Sequence, residues 1–532
     1  MSYAVRSEHA SNPIAMIRAR TATSPYRRLH PLPLLGALLL SGCANYLGIH
    51  AVEPLAQPQP AAVSGGSSLG GSGGTWPDAS WVGQFGDPQL TALTAEALAN
   101  NPDIHAARAR IAGAQAQVEG AHGAALPLIT ASASAERGYA YQNLDLQTPA
   151  GPIAPSSSWS NSGLGLVGLT YELDLWGKNS ASLARALSKV RAAAAQEQQA
   201  RLSLTAALAT TYNQLAQQYA EHDVLQQLAQ QRDGLGRLSA QRYKAGLDSE
   251  LEESQSAQSA AETHTQLAQL DEQILLTRYQ LGELLGEGPD RGLRIERPRL
   301  ADLPAPHLPD NIRLALLGRR PDIVAARWLV EADRQDAKVA KAEFYPDIDL
   351  VGDATYISLG LSNPSNSYAK AFGLGPAITL PIFEGGQLRA NLKGKYAQYD
   401  ADVASYNQTL NTALTDVAQQ IASARAVELQ IGSQTQALEQ ARRGYAMVEQ
   451  RYHAGLASEQ TLLNAQAGLI GAEQSSIDLA ARRRSLQIAL IKSLGGGFDA
   501  GTAGLAFKEP ALQAKDDSSG FIHRVTSTRH AQ

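Results

Sequence analysis

The sequence is poor in cysteine, methionine and aromatic residues: its 532 residues include one Cys and three Met, and aromatic residues make up 6%. A single cysteine excludes an intramolecular disulfide and a metal site built from cysteines. Few aromatic residues, together with stretches crowded with Ala and Gln, favour long helices packed side by side over thick globular cores. The formal charge of −5 gives no sign of the basic surface that binds nucleic acid.

Two motifs of catalysis and metal binding are also lacking. The sequence has no His-Glu-x-x-His pair and no Gly-x-x-x-x-Gly-Lys-Ser/Thr loop, and we expect neither an enzyme nor a bound cofactor or metal. Glu221-His222-Asp223 has no second histidine at metal-ligand spacing and is interpreted as a solvated or interhelical position. Arg482-Arg483-Arg484 is interpreted as a solvated helix face.

The one cysteine, Cys43, follows a short apolar run. Two arginines precede apolar residues 29–40, which are too few and too interrupted by proline to span a membrane as a helix. Residues 1–42 are therefore predicted to be a secretory signal peptide. The sequence Leu-Ser-Gly-Cys resembles a bacterial lipoprotein box, in which the thiol is acylated; an ordinary signal peptide with a chance cysteine is the alternative. In such lipoproteins an Asp after the cysteine favours the inner membrane, so Ala44 implies the outer membrane.

The rest of the chain divides into a tether and two halves that can be laid over each other. Residues 43–75 are rich in Pro, Gly and Ser and are predicted to be a lipidated, flexible tether. In each half a proline, Pro102 or Pro321, is followed 25 residues later by Pro127 or Pro346, which implies helices of similar length. The predicted units are repeat 1 at 76–286, a Pro-rich connector at 287–320, repeat 2 at 321–497 and a disordered tail at 498–532.

Beyond each second proline the hydrophobic period changes to two, which predicts β-hairpins at 129–175 and 347–383 with long polar connections. Strands of about ten residues with one apolar face suit a membrane β-barrel, and equally a soluble hairpin packed on helices. Helical hairpins are predicted at 178–286 and 385–494. The run 178–233 contains no Gly or Pro and would extend about 84 Å as one helix, which no compact domain needs.

A decapeptide occurs twice, as QRYKAGLDSE at Gln241–Glu250 and as QRYHAGLASE at Gln450–Glu459. Each copy lies between two long helical runs and is predicted to be the turn of a helical hairpin. Gly246 and Gly455 suit the left-handed residue that closes the first helix, and the serine three residues later suits the cap of the next. In the first copy Glu252 completes a capping box with that serine.

With these motifs in order, the chain resembles the TolC-like outer-membrane efflux channels, in their NodT-type lipoprotein branch. The resemblance implies a mixed α/β membrane protein with two structural repeats per chain, in which a homotrimer forms a twelve-stranded β-barrel continued by a twelve-helix α-barrel. It covers roughly 76–497 and rests on Trp81 with Gly86-Asp87-Pro88-Gln89-Leu90, Leu303-Pro304, Leu308-Pro309, Arg319-Arg320-Pro321-Asp322-Ile323, Phe344-Tyr345-Pro346, both decapeptides and Leu494-Gly495-Gly496-Gly497.

The family also implies partners and site residues. The barrel would stand in outer-membrane lipid and conduct small molecules passively from an inner-membrane pump, of RND type, through a periplasmic adaptor. Relatives commonly carry acidic rings where this chain has Thr461 and Asn464, and an Arg where it has Ala457. We therefore expect a gate held by a hydrogen bond between Tyr452 and Glu252 without an ionic lock, and weak block by cations. The implied adaptor-docking residues are Ala245, Gly246, Leu247, Ala454, Gly455 and Leu456.

The alternative function is a lipid-anchored periplasmic coiled-coil scaffold or adaptor protein, whose hairpins never enter a membrane. The sequence does not name an exported compound or the class of pump, and it does not choose between Met1 and Met16 as the start.

Overall fold

The computed structural model describes a sheet of strands joined end-on to a layer of long helices. Cys43, the predicted lipid attachment site, lies outside the described residues, as do Leu303-Pro304 and Leu308-Pro309. The described ranges are 45–56, 74–142, 146–148, 151–153, 156–247, 249–302, 312–359 and 367–507.

The elements follow one another in a similar order in the two parts of the chain. A short 3₁₀ helix comes first and is followed in the first part by α1 (Pro88–Asn100), α2 (Pro102–Ala124), β1 (Leu128–Gln142), β2 (Leu146–Thr148), β3 (Gly151–Ile153), β4 (Ser156–Glu172), α3 (Lys178–Lys244) and α4 (Glu250–Leu284). The connecting segment carries α5 (Pro289–Leu293) and α6 (Ile312–Arg319). The second part contains α7 (Pro321–Ala342), β5 (Asp347–Leu359), β6 (Ser367–Thr379), α8 (Gln387–His453) and α9 (Glu459–Ser493).

Among the described residues, proline begins four of the shorter helices, α1, α2, α5 and α7. Pro102 and Pro321 begin α2 and α7, where the missing N–H would have no helical partner. Asn101 caps α2, and its side-chain oxygen accepts a hydrogen bond from the N–H of Asp103 at 2.9 Å. α2 has 23 residues and α7 has 22, so the prediction of similar lengths from the proline spacing is confirmed.

The long helices extend further than the Gly-free run predicted. α3 and α8 each span 67 residues, about 100 Å at 1.5 Å per residue, and α4 and α9 each span 35. α3 continues through Gly234 and Gly236. Beside them, Arg232 donates to the carbonyl of Ser259 at 3.0 Å and to the hydroxyl of Thr263 at 2.6 Å, both on α4. Contacts with the neighbouring helix thus offset the roughly 1 kcal/mol that each helical glycine costs.

The helices form a single layer. α7 and α9 each contact both α3 and α8, so they lie between these two long helices. α2 and α4 pack on α3. This arrangement leaves α2 and α4 at one edge of the layer and α8 at the other.

The sheet has the strand order β1-β4-β5-β6, and every neighbouring pair is antiparallel. β4 and β5 join the two parts of the chain, and β1 and β6 are the outer strands. The first hairpin begins at Leu128 and ends at Glu172, close to the predicted range 129–175. Its second strand, β4, begins at Ser156, because its pairing with β1 continues as far as Gln142. The described part of the connection adds the small β2–β3 pair.

The two faces of the sheet differ, as the alternating pattern predicted. Directly paired residues share a face, and the register places one set of apolar side chains together. Three of them on β6, Phe372, Leu374 and Ile378, are 94%, 70% and 69% exposed. The opposite face carries the acidic side chains. The apolar face includes Ile129, Val167, Leu169, Ile348, Leu350, Phe372, Leu374 and Ile378, and the acidic residues are Glu136, Glu172, Asp347, Asp349 and Asp353.

Part of the predicted flexible tether is bound to the helical layer. The backbone N–H groups of Val52 and Glu53 donate to Asp400 of α8 at 3.0 and 3.1 Å. Asn407 donates to the carbonyl of Pro54 at 3.0 Å. The prediction is therefore wrong for residues 45–56, because polar side chains of α8 supply partners for this backbone.

The predicted disordered tail is also corrected over 498–507. Trp328 of α7 is 4% exposed, and its indole N–H donates to the carbonyl of Leu505 at 2.9 Å. The guanidinium of Arg327 lies 4.1 Å from the centre of the Phe507 ring. These apolar residues of the segment pack on α7, so it belongs to the core. Residues 508–532 lie outside the described part of the chain.

The interpretation of Arg482-Arg483-Arg484 as a solvated helix face is wrong for two of the three residues. Arg484 is 12% exposed and donates to Asn213 of α3 at 2.7 Å and to Asp302 at 2.8 Å. Arg483 pairs with the same carboxylate at 3.0 Å. Asp302 from the connecting segment and Asn213 supply acceptors that no local pattern indicates. Of the three, Arg482 is exposed.

Replacing Arg484 tests this contact. We expect Arg484→Ala to lower the free energy of unfolding by about 2 kcal/mol, because the buried amide of Asn213 and the carboxylate of Asp302 lose a charged donor. Arg482→Ala, two residues away on the same helix, should change it by less than about 0.5 kcal/mol. Urea unfolding of both variants in detergent is the measurement. Equal losses of unfolding free energy in the two variants would contradict the buried contact of Arg484.

Candidate functional site

The repeated decapeptides form two turns at the ends of the long helices that lie away from the sheet. The first turn joins α3 to α4, and the second joins α8 to α9. Both therefore lie about 100 Å along a helix from the strands. The residues predicted for docking and for the gate all lie within two helical turns of these two positions.

The backbone of the two turns is the same. The N–H of Gly246 donates to the carbonyl of Tyr243 at 2.9 Å, and that of Leu247 donates to Arg242 at 2.8 Å. The corresponding bonds in the second turn have the same lengths. φ is +70° at both Gly246 and Gly455, so the predicted left-handed closing residue is confirmed. This is the Schellman arrangement, which satisfies the last carbonyls of a helix.

Each turn presents an apolar side chain to open space. Leu247 is 68% exposed and Leu456 is 70% exposed. A Cβ placed on Gly246 or Gly455 would meet no atom within 4 Å. Within the chain, then, the glycines are required by their positive φ and not by crowding. The space beside each leucine is available to another molecule.

The starts of the following helices differ. In the first copy the N–H of Ser249 donates to the Glu252 carboxylate at 2.7 Å, so the predicted capping box is confirmed. In the second copy the N–H of Thr461 donates to the hydroxyl of Ser458 at 3.3 Å, and the two hydroxyls lie 2.9 Å apart. Both helices are capped: a carboxylate accepts the N–H bond in the first copy, and a hydroxyl accepts it in the second.

Acidic charge at the turns is concentrated on the first copy. The first turn of α4 carries Glu250, Glu252 and Glu253, whereas that of α9 carries Glu459. Thr461 and Asn464 are both exposed and neutral, and the side-chain oxygen of Asn464 accepts a hydrogen bond from Gln460 at 3.0 Å. Tyr452 is half-buried, and its ring lies edge-on to His453 with centroids 5.9 Å apart.

Sequence reasoning missed a polar seam between α3 and α9. Gln466, which is 2% exposed, donates to the side chain of Gln231 at 2.6 Å. Further from the turns, Gln217 donates to Asp478 at 2.9 Å. These bonds join the two helical hairpins above the turns. Glutamines in a Gln-rich helix give no signal of which ones will be paired, so the pattern could not identify them.

The structure gives Glu221-His222-Asp223 an interhelical role. The imidazole of His222 lies 3.3 Å from the carboxylate of Asp271 on α4. Asp223 accepts from Arg297 at 2.9 Å, and this bond holds the pKa of the carboxyl below its usual range. The prediction of a solvated or interhelical position is confirmed. Over the described ranges, His, Cys, Asp and Glu do not group in threes as metal ligands would.

None of the helices in the described ranges combines the length and the apolar content needed to cross a bilayer.

A family model described as outer membrane efflux protein matches residues 93–287 and 313–496. The chain belongs to this family. Fusaric acid resistance protein FusA of Burkholderia cepacia is 38% identical over 363 residues, which are 67% of each chain. Multidrug resistance outer membrane protein MdtQ of Escherichia coli O157:H7 is 31% identical over 89% of this chain and 98% of its own.

Solved structures place the fold with the same channels. The outer membrane protein VceC of Vibrio cholerae superposes with a TM-score of 0.73 at 35% identity, over 80% of this chain and 100% of its own. The outer-membrane channel OprN gives a TM-score of 0.73 at 27% identity. The chain is an outer-membrane efflux channel of the kind found in multidrug resistance systems, and it is not an enzyme.

The backbone role of the turn glycines gives a paired test. We expect Gly455→Ala to destabilise the channel by about 1 kcal/mol, because alanine is strained at a φ of +70°. Gly444→Ala, in the interior of α8 where a Cβ meets nothing within 4 Å, should stabilise it by about 1 kcal/mol. Thermal unfolding followed by circular dichroism measures both changes. Stabilisation by both substitutions would contradict the conformational role.

Proposed function

We propose that three copies of the chain assemble into one duct through the outer membrane, with four strands and one helical layer from each copy. The observation that carries this proposal is the sheet, which exposes a broad apolar face and ends in two outer strands, β1 and β6. Unpaired strand edges are not tolerated in lipid, so β6 of one copy must pair with β1 of the next. Three copies would close a twelve-stranded barrel, with the acidic face toward the lumen.

Aromatic residues at the far end of the apolar face support its placement in lipid. The rings of Tyr139 and Trp159 lie 5.3 Å apart, and the guanidinium of Arg137 is 5.5 Å from the Trp159 ring. Tyrosine and tryptophan are enriched at membrane interfaces, because the apolar body of the side chain contacts lipid while its polar end reaches water. This face also disfavours the alternative of a periplasmic scaffold, since a scaffold would expose it to water.

The edges of the helical layer support the same assembly. α7 lies between two long helices and buries twelve residues, whereas α2 at the edge buries Ile104, Ala107 and Ala114. In the proposed trimer α8 of a neighbouring copy covers α2, and three layers form a twelve-helix tube in the periplasm. The equal lengths of α3 and α8, and of α4 and α9, support two structural repeats per chain.

The anchor and the partners complete the proposal. Cys43 would carry lipid, and Tyr46, three residues later, bonds to Tyr345 at the base of the sheet, with hydroxyls 2.8 Å apart. The two turns would dock the tips of a periplasmic adaptor, with Leu247 and Leu456 as apolar contacts, below an inner-membrane pump of RND type. Relatives are named for resistance to fusaric acid and to many drugs, which supports small toxic compounds as cargo.

Few charged side chains would hold the mouth of the tube closed. We place a hydrogen bond between Tyr452 and Glu252 in the resting gate, together with the neutral positions Thr461 and Asn464. Ala457 supplies no charged group for an ionic lock. A mouth with neutral rings attracts cations weakly.

Substitution on the two faces of β6 tests the barrel. Leu374→Arg puts a charge on the apolar face and should cost about 2–4 kcal/mol at mid-membrane, which abolishes the heat-modifiable oligomer. Ala371→Arg, on the opposite face, should leave that oligomer intact. Gel electrophoresis of unheated membrane extracts measures both. A Cys43→Ala protein that leaves membranes as a salt-soluble monomer would overturn the duct in favour of the scaffold.

Conductance in planar bilayers tests the mouth. We expect weak block of the unmodified channel by di- and trivalent cations added from the periplasmic side. Thr461→Asp with Asn464→Asp should strengthen that block by about tenfold or more, because each ring then adds three carboxylates. Strong block of the unmodified channel that Asn464→Ala abolishes would contradict the neutral mouth.

A further inference from the structure

A cavity of about 430 Å³ lies between the start of α3 and the second half of α7. Its wall combines aromatic rings with amide, hydroxyl and ammonium groups. The lining residues include Trp176, Ser180, Gln335, Lys338, Lys341 and Tyr345. None of them belongs to the turns or to the sheet.

The cavity is at the level where the sheet meets the helices. Trp176 follows β4, and Tyr345 precedes β5. Their rings are stacked, with centroids 4.8 Å apart and 17° between the planes, and the indole N–H donates to the carbonyl of Pro346 at 2.7 Å. In the proposed barrel this level is the periplasmic surface of the membrane.

The cavity opens on the side of the layer that carries the N-terminal segment. Tyr345, in its wall, is bonded to Tyr46, and Lys341 lies 4.6 Å from the centre of the Tyr46 ring. Tyr46 is three residues from Cys43, whose lipid must enter the bilayer. This side of the layer therefore faces outward, toward the lipid and not toward the lumen.

Glu331 attracts Lys338 through space, but the acids near the cavity are bonded mainly to other cations. Within the described ranges the Lys338 ammonium has no hydrogen bond or ion pair, and burial, with Arg334 nearby, lowers its pKa. Glu331 is bonded to Arg334 at 2.6 Å. Asp336 pairs with Arg185 at 2.6 Å and with Lys395 at 2.8 Å. An anion in the cavity would therefore meet two ammonium groups that the neighbouring carboxylates leave available.

Exposed apolar side chains lie at the level of the cavity, where the sheet meets the helices. Leu175 and Phe383 are 60% and 86% exposed, next to the strand ends. An occupant with an anionic head and apolar chains would thus place its head between the lysines and its chains against these residues. A small soluble anion would use the lysines alone.

We propose that this cavity binds the phosphate of an anionic phospholipid from the leaflet that faces the periplasm. Lys338 and Lys341 neutralise the phosphate, and the stacked rings of Trp176 and Tyr345 support the glycerol region. One N–H of the Gln335 amide donates to Glu331, and the second is the donor it offers to the phosphate. The site rests on the membrane placement proposed above. The phospholipid would bind where the proposed barrel meets the proposed tube, beside the proposed lipid anchor at Cys43.

Native mass spectrometry of the detergent-purified channel tests the site, with added phosphatidylglycerol or zwitterionic phosphatidylethanolamine. We expect preferential binding of phosphatidylglycerol, and about tenfold weaker binding by the double variant Lys338→Gln/Lys341→Gln. Lys393→Gln/Lys492→Gln removes the same charge from exposed positions on α8 and α9 and should leave binding within twofold. Equal binding by both double variants would overturn the site.

A competition experiment distinguishes binding of the lipid from binding of a free anion. Millimolar inorganic phosphate should not displace phosphatidylglycerol, because it lacks the chains that contact the apolar border. Displacement at that concentration would overturn the proposal of a lipid site and would show that the cavity binds free phosphate. The heat-modifiable oligomer and the conductance of Lys338→Gln/Lys341→Gln should match those of the unmodified channel. If the unmodified channel shows neither the heat-modifiable oligomer nor conductance, the proposed duct is rejected. This result is distinct from a failure of lipid binding.

Discussion

The hydrogen-bonding groups of two strand edges constrain the whole molecule. β1 and β6 are the outer strands of a sheet whose apolar face is exposed, with Phe372 at 94%. An apolar face of this size suits lipid, and lipid offers no partner for an unpaired N–H or carbonyl. In the proposed trimer, the outer strands of neighbouring copies supply these partners for one another. The helical layer has its own two edges, so the proposed trimer would satisfy both, with the strands in the membrane and the helices in water.

Long helices can serve such an assembly only if their midpoints are held. Asp87 accepts hydrogen bonds from the hydroxyl of Tyr212 at 2.7 Å and from the N–H of Arg299 at 2.8 Å, and so ties α1 and the connecting segment to α3. Burial raises the pKa of Tyr212, which keeps its hydroxyl a donor. Asp302 and Arg484 tie the same segment to α9. These contacts brace the helical layer midway between the sheet and the turns.

Features decided by local backbone chemistry were predictable. The two decapeptides indicated helical turns closed by Gly246 and Gly455, because glycine adopts a positive φ without strain. The proline pairs indicated two helices of similar length, and alternation indicated strands with unlike faces. What was missed depends on partners far away in the chain. Arg484 is paired with Asp302, 182 residues before it, and residues 45–56 bond to α8 nearly 350 residues later.

The sequence by itself determined the order of the helices and β-hairpins, the turns between the long helices, which strand face is apolar, and that the chain resembles the efflux channels. These properties depend on neighbouring residues, so they can be read along the chain. Only the tertiary structure decided that β4 pairs with β5, that Trp328 holds the segment 498–507, and that Lys338 and Lys341 share a cavity with stacked rings. Whether a charged or aromatic side chain is solvated or enclosed depends on which distant elements the fold brings beside it, and the linear pattern carries no record of that neighbour.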